Sequence, residues 1–155
     1  WFRFGPDFAE CETYTSLDGR VTQRMETKGR LQAFQNHAIV CDAWHMQLFD
    51  RHKGPGLQSI DEMLLSSPDH RGATGPMLFR IGFGVEYVGE ESITVRAGKF
   101  AALHFRFVSS PGLPQAHPAY DIWCTADGDY IFLKGIIGGY MLTQYELVRL
   151  EYENG

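Results

Sequence analysis

Apolar and polar residues alternate through most of the C-terminal half of the chain, over residues 87–150. Alternation with a period of two is typical of β-strands that bury one face and expose the other. Short turns rich in glycine and charged residues separate four such runs, so we expect the runs to pair as an antiparallel sheet. The turn at Ala97-Gly98 is expected to need a positive φ, which glycine adopts without strain.

The N-terminal part of the chain predicts a hairpin. Asp18-Gly19 lies between two β-prone runs, at residues 10–16 and 20–28. Asp-Gly in such a position is a strong short-range signal for two paired strands.

Residues 31–50 are interpreted as one or two further strands, because β-branched and aromatic residues are dense there. A helix is the alternative for this segment, since Val40, Trp44 and Leu48 fall at helical spacing. Residues 59–62, Ser-Ile-Asp-Glu, resemble a capping box and predict one short helix over residues 60–65.

Three short motifs mark the C-terminal half, namely Gly89-Glu90-Glu91, Val95-Arg96-Ala97-Gly98-Lys99-Phe100 and Asp121-Ile122-Trp123. With these motifs in this order, the segment resembles the DUF3108-like group of small bacterial β-proteins of uncharacterised function. The resemblance implies the β-fold and transfers no active site.

Together these elements predict a single all-β domain over residues 1–155, mostly antiparallel. About eight to ten strands with one short helix suit a strongly curved sheet or an incomplete β-barrel, since sheets of this length tend to curl or split. The interior of such a small barrel is either filled by side chains or holds one small ligand.

Charge and composition limit the classes of partner. Nineteen acidic residues against fourteen basic ones give a net charge of −5, so neither nucleic acid nor an anionic membrane is an expected partner. No apolar run reaches the roughly 18 residues of a spanning helix. Three separated cysteines favour reduced thiols and a cytoplasmic location. The chain begins at Trp1, which leaves a removed leader open, and a homo-oligomer is also left open.

Polar side chains share strand faces with aromatic ones in the C-terminal half. Because side chains alternate along a strand, His104 and Arg106 share one face, and Asp121 shares a face with Trp123. If the two strands pair, Arg106 and Asp121 meet across them. One interpretation is a surface ion pair that contributes under about 1 kcal/mol. The other is an anchor for a carboxylate or phenolate of a ligand.

A second candidate group surrounds His45, which follows Trp44. An imidazole there could act as a general base near neutral pH, and a structural role is the alternative. Asp42 is expected on the opposite face of the strand. Glu90 and Glu91 are interpreted as a solvated turn. No motif has metal-ligand or nucleotide-binding spacing, so neither a metal nor a cofactor is expected.

The sequence therefore supports two functions. The first is binding of an apolar or aromatic small molecule in the cavity of the curved sheet. The alternative is a cofactor-independent enzyme (a lyase, isomerase or hydrolase) that uses His45 or His104 with Tyr or Asp partners in the same cavity. Alanine at His45 or Asp121 is expected to weaken binding or turnover at least about tenfold. The candidate ligand-binding residues are Trp44, His45, His104, Arg106, Tyr120, Asp121 and Trp123.

Overall fold

A computed structural model of the chain describes residues 1–16, 18–35, 38–65, 78–109, 118–139 and 141–152. The strands in these ranges are β1 (Phe2–Phe4), β2 (Phe8–Thr15), β3 (Gly19–Glu26), β4 (Ala33–Gln35), β5 (Gly56–Leu65), β6 (Phe79–Val95), β7 (Gly98–Ser109), β8 (Tyr120–Thr125), β9 (Phe132–Ile137) and β10 (Thr143–Glu146). One α-helix, α1 (Ile39–His45), is followed by 3₁₀ turns at Met46–Leu48 and Arg51–Lys53. None of the helices in these ranges has the length and apolar character needed to cross a bilayer.

The strands form two sheets. β1, β2 and β3 make a three-stranded antiparallel sheet, and the others form a seven-stranded sheet in the order β10-β9-β8-β7-β6-β5-β4. Pairing in the larger sheet is antiparallel except between β4 and β5. The prediction of a mostly antiparallel β-fold with one short helix is confirmed. Within the described residues the two end strands, β4 and β10, do not pair with each other, so this sheet is open.

Two predicted turns are confirmed. The Asp18-Gly19 turn joins β2 to β3, with Thr15 opposite Gly19, whose φ is 68°. Leu17, in the same turn, lies outside the described residues. β6 and β7 form the second hairpin, and Gly98 at its turn has a φ of 136°, in the positive region that side chains disfavour.

The helix predicted over residues 60–65 is wrong, because β5 occupies this segment. A bulge between Ile60 and Met63 leaves both side chains buried. Their spacing of three residues therefore imitates the buried face of a helix. Gly82 lies against the bulge, where a Cβ would approach the Asp61 Oδ1 to 3.1 Å. The glycine within β6 thus marks the close approach of a neighbouring strand.

The interpretation of residues 31–50 as strands holds only for the short strand β4, since α1 and a 3₁₀ turn form most of the rest. Ala43 and Met46 are buried against the larger sheet. Val40 and Trp44, whose spacing suggested the helical alternative, lie exposed. Burial of the opposite helix face has therefore overridden the local β-propensity.

The larger core lies on one face of β6, β7, β8 and β9, and α1 packs on this face at β8 and β9. Alternating residues of these strands supply it, among them Phe83, Val85, Phe105, Phe107 and Ile122. The opposite face, here called the outer face, carries a smaller cluster built on Ala102, Trp123 and Leu133. Because side chains alternate, the polar residues between the core positions project on the outer face.

Candidate functional site

The residues predicted to bind a ligand fall into two groups on opposite faces of the larger sheet. The outer-face group contains His104, Arg106, Asp121 and Trp123, and the core-side group contains Trp44, His45 and Tyr120.

The outer-face group is joined by direct contacts across β7 and β8. His104 lies opposite Trp123, and Arg106 lies opposite Asp121. The Asp121 Oδ1 accepts a hydrogen bond from the Arg106 Nε at 3.0 Å and lies 2.7 Å from the His104 Nε2. The predicted meeting of Arg106 and Asp121 is therefore confirmed.

Glu91 completes this network, and its interpretation as part of a solvated turn is wrong. It lies within β6, which continues through a bulge at Gly89. The Glu91 Oε1 accepts a hydrogen bond from the Trp123 Nε1 at 2.8 Å and lies 3.4 Å from the His104 Nδ1. Both ring nitrogens of His104 thus face carboxylate oxygens, the Nε2 within hydrogen-bond distance and the Nδ1 within ion-pair distance. The ring is not placed to take a proton from a substrate.

Packing leaves little of the surface of the His104 and Trp123 rings exposed to solvent. The His104 and Trp123 rings stack with centroids 4.2 Å apart, and the Lys134 Nζ lies 5.2 Å from the Trp123 ring centre. Trp123 is only 9% exposed. The indole is therefore used by the fold and offers no free surface for stacking a ligand.

The core-side group is centred on Asp42, which is only 1% exposed. The Tyr120 hydroxyl donates a hydrogen bond to the Asp42 Oδ2 at 3.0 Å. The His45 Nδ1 lies 3.5 Å from the Asp42 Oδ1 without hydrogen-bond geometry. Asp42 was expected on the face opposite His45, but helical spacing of three residues brings the two side chains together. Trp44 points away from this group and is 63% exposed.

An open cleft of about 620 Å³ lies between residues 47–52 and Tyr130. We call it the Arg51 cleft. Leu48 and Phe49 line it together with Arg51 and His52, and none of the residues predicted from the sequence does. The Arg51 Cζ lies 5.7 Å from the centre of the Tyr130 ring. This distance is within the range of a cation–π contact.

Tyr130 holds an unusual backbone conformation at the wall of this cleft, with a φ of 52°. A bulky residue in this region is a conformational outlier. The preceding turn fixes it: the Thr125 hydroxyl donates to the Asp127 Oδ1 at 2.5 Å and accepts from the Ile131 amide at 3.1 Å. The Thr125 hydrogen bond lowers the pKa of the Asp127 carboxyl. The turn therefore positions the Tyr130 ring at a cost in backbone strain.

The charge of Arg51 affects the pKa of two groups, the Cys124 thiol and the Tyr87 hydroxyl. Burial raises the pKa of the Cys124 thiol to about 12, and the Arg51 charge opposes that rise. Burial also raises the pKa of the Tyr87 hydroxyl, and the charge of Glu90 raises it further. The charge of Arg51 again opposes the rise. The positive charge of Arg51 thus favours the ionised forms of both groups.

Metal ligation finds no support in the described ranges, where no group of three or more His, Cys, Asp or Glu side chains could hold an ion. Comparisons with models of protein families, with curated proteins and with solved structures find no match.

Proposed function

We propose that the protein binds a small aromatic or otherwise apolar molecule in the Arg51 cleft. The observation that carries the proposal is an open cleft in which the exposed Leu48 lies beside Arg51, a cation that no carboxylate among the described residues pairs with. Leu48 supplies exposed apolar surface, the largely buried Phe49 and Tyr130 also line the cleft, and Arg51 supplies the polar anchor. Small-molecule sites commonly combine a largely apolar lining with a few such polar groups.

The strained backbone of Tyr130 supports the same proposal. Strain of this kind costs of order 1–3 kcal/mol and is concentrated at ligand-binding and active sites. Here the strain places an aromatic ring against the Arg51 guanidinium, at the edge of an open cleft.

Titration of the labelled protein with naphthalene methanol, followed by amide NMR shifts, tests the proposal. We expect saturable shifts that cluster around residues 47–52 and Tyr130. Leu48→Glu should abolish them, because Leu48 is an exposed wall of the cleft where a carboxylate obstructs an apolar ligand. The control is Leu142→Glu, at an exposed leucine outside the cleft, which should bind like the wild type. Shifts that do not saturate, or that persist in Leu48→Glu, would show the proposal to be wrong.

The enzymatic alternative is favoured by one contact, the 2.7 Å approach of Asp121 to the His104 Nε2. A carboxylate beside an imidazole is a common arrangement for general acid–base catalysis. Under this alternative, Asp121→Ala lowers turnover at least about tenfold without loss of fold. The position of Glu91 beside the other ring nitrogen weighs against it, because both ring nitrogens then face carboxylates of the protein instead of a substrate.

The proposal also includes the finer features expected from the sequence. Strong curvature of the seven-stranded sheet, or an incomplete barrel, is supported by bulges in the β5–β6, β6–β7 and β8–β9 pairs, since bulges bend strands and increase their twist. A cytoplasmic location is supported by the free thiols of Cys11, Cys41 and Cys124. Membership of the DUF3108-like group is supported by the strand, Ala97-Gly98 turn and strand that follow one another in β6 and β7.

A further inference from the structure

We infer that the ligand of the Arg51 cleft carries a carboxylate beside its aromatic or apolar part. The inference rests on the proposed function, because it names the chemical class of the molecule bound in that cleft. Its support comes from the charged residues that line the cleft and from the guanidinium of Arg51, which has no carboxylate partner in the described part of the chain.

Arg51 and His52 line the cleft in a chain whose net charge is −5, and Asp50 lines it as well. Arg51, His52 and Lys53 follow one another, and the carboxylate beside them, Asp50, is already engaged. The Asp50 Oδ1 accepts a hydrogen bond from the His52 amide at 3.1 Å, and its Oδ2 lies 3.7 Å from the Lys53 Nζ. Asp50 therefore does not neutralise Arg51.

Arg51 differs from the other arginines whose side chains the structure describes. Seven of them lie within ion-pair distance of a carboxylate, namely Arg3, Arg20, Arg24, Arg30, Arg96, Arg106 and Arg149. Among these described side chains, Arg51 alone has no such partner. Its contact is with the Tyr130 ring. Within the described ranges, the one arginine without a carboxylate partner is therefore the one that lines the cleft.

The geometry suits a carboxylate with an attached ring. A guanidinium has five N–H donors in a planar fork, which matches the two oxygens of a carboxylate. The apolar walls at Leu48 and Phe49 and the ring of Tyr130 lie next to that fork, so the ring of the ligand would contact them. A volume of about 620 Å³ is in the range of sites for small organic ligands.

The test compares naphthalene carboxylate with naphthalene methanol, which share a ring and differ in charge. We expect wild-type protein to bind the carboxylate at least about tenfold more tightly, the equivalent of one charge-assisted hydrogen bond. Arg51→Gln should remove this preference, so that the variant binds the two compounds with affinities within about twofold of each other. Arg149→Gln makes the same chemical change at an exposed arginine paired with Glu151, and should alter neither affinity.

The outcomes separate this inference from the proposed function. Equal affinities for the two compounds in the wild type, or a preference that survives in Arg51→Gln, would overturn the inference and leave binding in the cleft standing. Absence of saturable binding by either compound would overturn the proposed function together with the inference. Circular dichroism of Arg51→Gln should match the wild type, since Arg51 is exposed.

Discussion

Tyr120→Phe tests the buried contact between α1 and the larger sheet. The Tyr120 ring stacks on Phe107 with centroids 4.5 Å apart, and phenylalanine preserves that packing. The substitution removes only the hydroxyl, which donates to the Asp42 Oδ2 at 3.0 Å. Asp42 is buried, so water cannot readily replace the lost donor.

The expected loss of stability follows from the charge of the acceptor. Hydrogen bonds to charged groups contribute about 1.5–3 kcal/mol, and a buried acceptor that loses its donor incurs a desolvation cost of similar size. We therefore expect the free energy of unfolding to fall by about 2 kcal/mol. In a chain of this length, that lowers the Tm by about 4–8 °C.

Urea unfolding near neutral pH measures this loss, with Tyr14→Phe as the control because Tyr14 is 78% exposed. The control should change stability by less than about 0.5 kcal/mol. A double-mutant cycle with Asp42→Asn should show coupling of at least about 1 kcal/mol, as expected for residues in contact. A loss below about 0.5 kcal/mol in Tyr120→Phe, or additive effects in the cycle, would refute the reasoning.

Three further predictions concern a thiol, a carboxyl and a turn. Burial raises the pKa of the Cys124 thiol to about 12, so Cys124 should react with iodoacetamide far more slowly than half-buried Cys41 in the folded protein. The two thiols should react equally fast once the protein is unfolded. Equal rates in the folded state would contradict this prediction. The pKa of the Asp127 carboxyl is lowered from 3.8 in the folded state, so ionised Asp127 stabilises the fold at pH values above 3.8. This stabilisation is lost as the pH falls through the folded-state pKa. The Tm advantage over Asp127→Asn, present near about pH 6, should disappear near about pH 2, and a constant difference would count against it. Gly98→Val should cost about 1–3 kcal/mol because of the positive φ, whereas Gly138→Val, at a glycine without positive φ, should cost less in the same thermal melt.

The C-terminal strands follow closely from the sequence because their alternation is regular. His104 and Arg106 in β7 and Asp121 in β8 lie on one face by simple counting, and antiparallel pairing then brings Arg106 opposite Asp121. No bulge interrupts the pairing of β7 with β8. Counting residues is therefore enough to predict which of these side chains meet.

Counting alternate residues fails to predict the buried side chains where a bulge or a helix interrupts the two-residue period of a strand. The bulge in β5 places Ile60 and Met63 on one face, which gives the local spacing of a helix. In α1 the exposed face carries Val40 and Trp44, so these apolar residues face solvent instead of the core. Only the packing of Ala43 against the sheet distinguishes the buried face, and that contact is long-range.

The candidate site was missed for a related reason. Glu91 joins the outer-face network only because β6 continues through the bulge at Gly89, and a Gly-Glu-Glu sequence more often forms a turn. The Arg51 cleft combines a 3₁₀ turn with a residue almost eighty positions later, Tyr130. No periodicity within either segment predicts that they meet. The positive φ of Tyr130 likewise has no signal in the residue type, since aromatic residues seldom adopt it.

The outer-face network and the Arg51 cleft differ in how their polar groups are used, and this leads to opposite expectations for mutation. Asp121 contacts both Arg106 and His104, so these groups stabilise the folded state. They would gain little free energy by exchanging these contacts for contacts with a ligand. Arg51 donates to no carboxylate in the described part of the chain, so a bound anion displaces only water. Asp121→Ala should therefore lower the Tm while leaving the affinity for naphthalene carboxylate unchanged. Arg51→Gln should weaken that affinity with no loss of Tm. If Asp121→Ala abolishes binding with the fold intact, the site lies on the outer face, and the sequence-based choice of residues is correct.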